Sequence, residues 1–136
     1  EVIESYLKSA KTIAIVGLSH RKEAASYQVA HFLQAAGYRI IPVNPKLEGQ
    51  ELLGEHVYAY LKDIPFSFDI VDVFRRSEFL PDVAYDFLET DAKVFWSQIG
   101  LENEEAETIL RQANRQDIVM NRCTKICDSL FNKMKR

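Results

Sequence analysis

Five short apolar runs, each rich in β-branched or aromatic residues and each followed by a stretch of different periodicity, constrain this chain more than any other feature. They occupy residues 12–16, 39–43, 68–74, 93–96 and 117–120. All are strand-sized and far too short to span a bilayer as helices. Their hydrophobicity is nearly unbroken, as in parallel strands covered on both faces. Helical spacing fills the intervals. Val29, Phe32, Leu33 and Ala36 share one face ahead of Gly37, a suitable C-cap. Ser77 is placed to cap a helix carrying Leu80, Val83, Ala84, Phe87 and Leu88, and Asn103 begins another that buries Ala106, Ile109, Leu110 and Ala113. Glu104 and Glu105 in its first turn suit the helix dipole. An opening helix presents Ile3, Tyr6, Leu7 and Ala10, and a closing one Cys123, Ile126, Cys127, Leu130, Phe131 and Met134.

This alternation specifies an α/β fold with right-handed crossovers: a Rossmann-like, doubly wound sheet of about five parallel strands flanked by helices. The expected strand order is 3-2-1-4-5. Pro42 is awkward in a central strand, because it lacks a ladder donor, and is expected at the strand's carboxyl end. The connection 47–65 is irregular, interrupted by Gly49 and Gly54, with a short helix expected only over 58–62.

With 136 residues, 47% of them hydrophobic, the chain is expected to form one domain over 1–136. A net charge of −3 speaks against both disorder and a nucleic-acid surface. Glu1-Val2-Ile3-Glu4 lacks the apolar stretch of a leader, and the missing initial Met suggests trimming. Only Cys123 and Cys127 are present, which is no disulfide scaffold, so a cytoplasmic protein without a membrane partner is expected.

In open α/β sheets, ligands bind beyond the carboxyl ends of the strands. After the first run, Gly17 allows a close backbone turn, and Ser19, Arg21 and Ser26 can donate to phosphate oxygens near a helix N-terminus. The second run ends in Asn44, Pro45 and Lys46 where a dinucleotide site carries an acid for the ribose; a lysine there favours an extra phosphate. After the third come Phe74, suited to cover a base, and the adjacent Arg75 and Arg76. After the fourth, Trp96 reads as core and Gln98 as the better ligand contact. An ordinary polar loop and a solvated arginine pair account for these residues about as well, so the residues alone leave both readings open.

Catalytic constellations are poorly represented. His20, His31 and His56 have no visible partner, and the nucleophile-elbow, phosphate-loop and metal-ligand patterns are missing. Asp72 reads as a buried acid with a structural hydrogen-bonding role, and the two cysteines as small core residues on one helical face. A receiver-like signalling domain would need acids where Leu18-Ser19 and Phe74-Arg75 stand.

Taken together, Val16-Gly17-Leu18-Ser19, Gly37 through Pro45, Asp69 through Arg76 and Met120-Asn121-Arg122-Cys123 resemble the small bacterial CoA-binding domain proteins, as do Asp63-Ile64-Pro65 and Gln98-Ile99-Gly100. The layout is similar to the CoA-binding domain of succinyl-CoA synthetase and ADP-forming acyl-CoA synthetases. The resemblance implies coenzyme A as ligand, with Gly17, Ser19, Arg21, Lys46, Phe74, Arg75 and Gln98 as contacts; Ser26 and Asn44 join them from the reading of the loops. It departs from the pattern at His20, where a proline usually precedes the arginine, and at Cys127, near which the family commonly has Glu. The ligase relatives use a phosphohistidine on a separate domain, and this chain ends before one. A stand-alone protein holding CoA or an acyl-CoA, rather than an enzyme, is therefore expected, as a homodimer or with a partner protein. An NADP-binding domain or oxidoreductase is the alternative, and an interaction module a third.

Overall fold

The computed structural model describes residues 2–134, with side chains described through residue 130, so Phe131 and Met134 of the expected closing face lie outside the described side chains. The elements run α1 (Val2–Ser9), β1 (Thr12–Val16), α2 (Ala25–Ala35), β2 (Arg39–Val43), a hairpin of β3 (Glu51–Leu52) and β4 (Glu55–His56), β5 (Ile70–Val73), α3 (Leu80–Leu88), β6 (Val94–Ser97), α4 (Glu104–Gln112), β7 (Ile118–Val119) and α5 (Thr124–Met134). The fold class is as expected: five parallel strands with helices on both faces.

The strand order is not. The sheet runs β2-β1-β5-β6-β7, which is 2-1-3-4-5 in order of the five sheet strands, because the third strand pairs with β1 rather than β2. Pro42 carries the reason. It is not at the strand's end but within β2, opposite Ile15, and β2 is the edge. Arg39 donates to Lys11 and Val43 accepts from Gly17, so the ladder groups of the odd residues face β1. Pro42 therefore turns its missing donor outward, where its carbonyl accepts from Tyr58 at 3.1 Å. A proline is tolerated at such a position and not in a strand paired on both sides.

Each strand serves two cores. Ile13, Ile15, Ile70 and Trp96 pack with Leu7, Val29, Leu33 and Cys127 on the α1/α2/α5 side. Ala14, Val16, Val71, Val73 and Phe95 pack with Val83, Phe87, Ala106 and Leu110 on the α3/α4 side. Burial on both faces explains the unbroken apolar runs. The Asp69 carboxylate accepts from the backbone of Lys11 (2.8 Å) and Thr12 (3.0 Å), pinning the start of β1 beside that of β5.

Several boundaries differ. Asn103 caps α4 as expected, accepting from Ala106 at 2.8 Å, but Ala113 is exposed beyond the helix end. Ser77 does not cap α3; it opens a 3-10 turn, Ser77–Phe79, and its hydroxyl accepts from Glu102 at 3.2 Å. The irregular connection holds 3-10 turns at Pro45–Leu47 and Leu61–Asp63 besides the unforeseen hairpin. On α5, Cys127 is buried while Ile126 and Leu130 are exposed, so the apolar stripe is only partly covered. No helix among the described residues is long and apolar enough to cross a membrane.

Candidate functional site

The chain passes from β1 to β2 on one side of it and then returns from β2 past β1 to β5 on the other, so the strand order reverses at β1 and a crevice opens between the carboxyl ends of β1 and β5. Gly17 makes that crevice narrow. Its φ is +87°, and a Cβ there would lie 2.7 Å from the Phe74 carbonyl oxygen. Only glycine combines this backbone angle with so close an approach. Its amide donates to Val43 at 2.8 Å, joining the ends of the first two strands.

The crevice widens into a cavity of about 530 Å³ on the α3 side, a size that suits a small-molecule ligand. Its floor is Val16, Gly17 and Val43; Asn44, Pro45 and Lys46 line it from the end of β2, and Phe74, Arg75 and Arg76 from the end of β5. Ala59 and Tyr60 of the connection, with Phe79, Asp82, Val83 and Asp86, complete the wall. Asn44 shapes this region from both ends of its amide: Oδ1 accepts from Lys46 N at 3.0 Å, and Nδ2 donates to Leu18 O at 3.1 Å. The Arg75 guanidinium lies 4.3 Å from the centre of the Phe79 ring. Asp86 accepts from the backbone of Leu61 (2.8 Å) and Lys62 (3.2 Å), fastening the 3-10 turn to α3. Burial raises its pKa, against the lowering effect of those two donors.

Of the expected site residues, Gly17, Asn44, Lys46, Phe74 and Arg75 line this cavity, and Arg76 joins them, although the Phe74 ring, expected to cover the base, packs with the core on the α1/α2/α5 side. Four do not. Ser26 is buried, and its hydroxyl accepts from Ser19 N at 3.0 Å, closing the first loop. Ser19 Oγ accepts from Arg21 N at 3.1 Å. Arg21 projects into solvent and pairs with Glu23 at 3.2 Å. Their hydroxyl and guanidinium groups thus serve the loop's own shape in this conformation.

Gln98 requires the clearest correction. It follows β6 as expected but points to the other face of the sheet, away from the cavity, and is 4% exposed. Its amide donates to Asp72 Oδ1 and, at 2.9 Å, to Thr124 Oγ1; Thr124 in turn donates to Asp72 Oδ2 at 2.8 Å. The three side chains close a buried polar triangle between β5, β6 and the first turn of α5. Asp72 therefore has the structural hydrogen bonds expected of it. Complete burial pushes its pKa up to about 7, although both hydrogen bonds favour the carboxylate. Trp96 is core, its indole donating to Arg122 O at 2.8 Å. Cys123 is half-buried, and the Cys127 thiol has its pKa raised, mainly by burial.

Sequence reasoning missed Tyr60, Phe79, Asp82 and Asp86. Asp82 and Asp86 are four residues apart in α3, a spacing that places them together; Tyr60 stands three residues before the Asp63-Ile64-Pro65 signature. Among the described residues, no cluster of three or more His, Cys, Asp or Glu could hold a metal ion.

Residues 11–129 match a family described as a CoA binding domain. The chain is 48% identical over 128 residues to the Bacillus subtilis protein YneT, covering 94% of this chain and 93% of that one. A solved Thermus thermophilus structure, cell-free ID.343, is 35% identical with a TM-score of 0.87, over 91% of this chain and 92% of that one. The fold also recurs in a dinucleotide-forming acetyl-coenzyme A synthetase from Ca. Korarchaeum cryptofilum, at 23% identity and a TM-score of 0.65, over 82% of this chain and 25% of the synthetase.

Proposed function

The chain belongs to the CoA-binding domain family, and from that premise we propose that it holds coenzyme A, free or acylated, at the carboxyl ends of β1, β2 and β5. The observation that carries this reading is the glycine-narrowed crevice opening into a cavity lined by Lys46, Arg75 and Arg76. Coenzyme A is a polyanion with a flat base, and a cavity with three cations beside aromatic walls offers both kinds of contact. In this reading the pyrophosphate lies over Gly17 and Arg75, where backbone can approach it closely. Lys46 meets the 3′-phosphate of the ribose, and the base rests against Tyr60 and Phe79. The thioester end leaves the cavity, so that acylated and free CoA share the same anchoring contacts. No step of bond making is assigned to this chain; its role is to bind and present the cofactor as a carrier or sensor.

Titration calorimetry with CoA, NADPH and buffer tests the proposal. Saturable heat with CoA, much tighter than with NADPH, is expected. NADPH binding without CoA binding would replace this reading with a dinucleotide site, to which Lys46 and Arg75 would offer a 2′-phosphate contact. No heat with either ligand would make the cavity an unspecific surface feature and overturn the proposal.

A further inference from the structure

The cavity contains a charge that a polyanion site would not be expected to keep. Beside Lys46 and the two arginines, α3 contributes Asp82 and Asp86, one helical turn apart. Asp86 is accounted for by its bonds to Leu61 and Lys62. Asp82 is different: it is exposed, and among the described residues no hydrogen bond or ion pair engages its carboxylate, even though Arg75 and Arg76 line the same cavity. The Arg75 guanidinium rests against Phe79 instead. A carboxylate accepts hydrogen bonds and donates none, so in this cavity it repels phosphate and suits an N–H group.

The surrounding wall narrows the chemistry. Tyr60, Phe79 and Val83 line the same cavity as Asp82, adding aromatic and apolar surface, with Lys62 over one face of the Tyr60 ring and Arg75 over one face of Phe79. Such a wall takes a planar heterocycle through its faces, with the carboxylate meeting a donor on its rim. Resting on the CoA reading above, we propose that Asp82 is a specificity-determining residue that accepts a hydrogen bond from the 6-amino group of the ligand's adenine. In the free protein the carboxylate is hydrated at little cost. A ligand without the amino donor displaces that water and leaves the carboxylate unpaired, which is how a polar site rejects an analogue lacking its donor.

The test compares CoA with its 6-deaminated purine analogue, which keeps every phosphate. Wild-type protein is expected to favour CoA by roughly tenfold, the scale of one hydrogen bond to a charged group. Asp82→Ala should erase that preference, and Asp82→Asn, which retains a carbonyl acceptor, should keep most of it. Circular dichroism establishes that both variants are folded. Equal wild-type affinity for the two ligands, or a preference that survives Asp82→Ala, would overturn the role of Asp82 while leaving CoA binding intact; an acid that merely complements the helix dipole behaves that way. Wild-type protein that binds neither ligand would overturn the CoA reading itself, and the role of Asp82 with it.

Discussion

Two polar groups of residues occupy the carboxyl edge of the same sheet, one on each face, and they are built to opposite ends. On the α3 side, Lys46, Arg75, Arg76 and Asp82 line a cavity, and no ion pair among the described residues neutralises the three cations. On the α5 side, Asp72, Gln98 and Thr124 are buried and hydrogen-bonded to one another. The rule that ligands gather at strand ends selects both groups; it does not say which face is open. The difference teaches that the decisive variable is whether a helix already covers the polar atoms. The first turn of α5 does so for Asp72 and Gln98, whereas on the other face α3 packs on the sheet but leaves a cavity at the carboxyl ends of β1 and β5.

The sharpest way to break this comparison is to change pH. With its native pKa pushed up to about 7, Asp72 holds a proton between pH 4 and 7 that it loses in the unfolded chain. The native state binds more protons in that window, so this group's contribution to stability is fully present below about pH 4 and is lost as pH rises through about 7. A native pKa of about 7 against about 4 in the unfolded chain corresponds to an effect on the order of 4 kcal/mol. Asp72→Asn should remove this component, and the wild-type-minus-mutant difference in urea unfolding free energy, measured from pH 4 to pH 8, isolates it from other carboxylates. A difference that stays flat across the window would mean that the carboxyl is not held neutral by burial.

Next in size is Gln98→Leu. Losing the amide leaves Asp72 and Thr124 each short of a partner in a buried setting, and a loss of about 2–3 kcal/mol in stability is expected. CoA affinity should stay within about threefold of wild type, less than one hydrogen bond's worth. A tenfold loss of affinity in folded protein would return Gln98 to the binding site and erase the distinction between the two faces.

The corresponding change on the open face is Lys46→Ala. Here the expected loss is in binding, about 1–3 kcal/mol towards CoA, with dephospho-CoA little affected, because only CoA carries the ribose phosphate that Lys46 is proposed to meet. Stability should hardly change, since Lys46 is exposed. Calorimetry with both ligands checks this, and wild-type protein that binds them equally would remove Lys46 from the phosphate.

These contrasts also mark what the sequence could and could not disclose. The β1, β2 and α4 segments were legible because β-branched runs and an Asn cap with an acidic turn are local signals. Strand order was not, because pairing is non-local, although Pro42 did carry the message that β2 lies at an edge. Gly17, Lys46 and Arg75 could be selected for the cavity because strand ends reveal which edge they occupy. Gln98 could not be excluded, because a residue just past a strand turns to one face or the other according to where the chain leaves the sheet. Asp82 and Tyr60 were missed for a further reason: they reach the cavity from a helix and a long connection, elements that the strand-end rule does not cover.

The smallest expected effect belongs to Arg21, where the sequence and the geometry disagree most about magnitude. As a pyrophosphate clamp, Arg21 would contribute about 1.5–3 kcal/mol to CoA binding, so Arg21→Ala would cost tenfold or more. In the structure its guanidinium is exposed, paired with Glu23 at 3.2 Å, and outside the cavity lining. An exposed pair of this kind contributes about 0–1 kcal/mol to stability, so Arg21→Ala should leave unfolding almost unchanged. If the loop keeps this conformation when ligand binds, affinity should fall by less than about threefold, through long-range attraction alone. Arg75→Ala, which empties a position inside the cavity, should cost more. Measuring both variants in the same CoA titration, at low and at physiological salt, separates the two cases: a small Arg21 effect that fades with salt fits the exposed position. A tenfold loss that persists in salt would mean that Arg21 leaves Glu23 and closes over the ligand, carrying Ser19 with it through the Ser19 Oγ contact to Arg21 N. The first loop would then belong to the open face of the sheet after all.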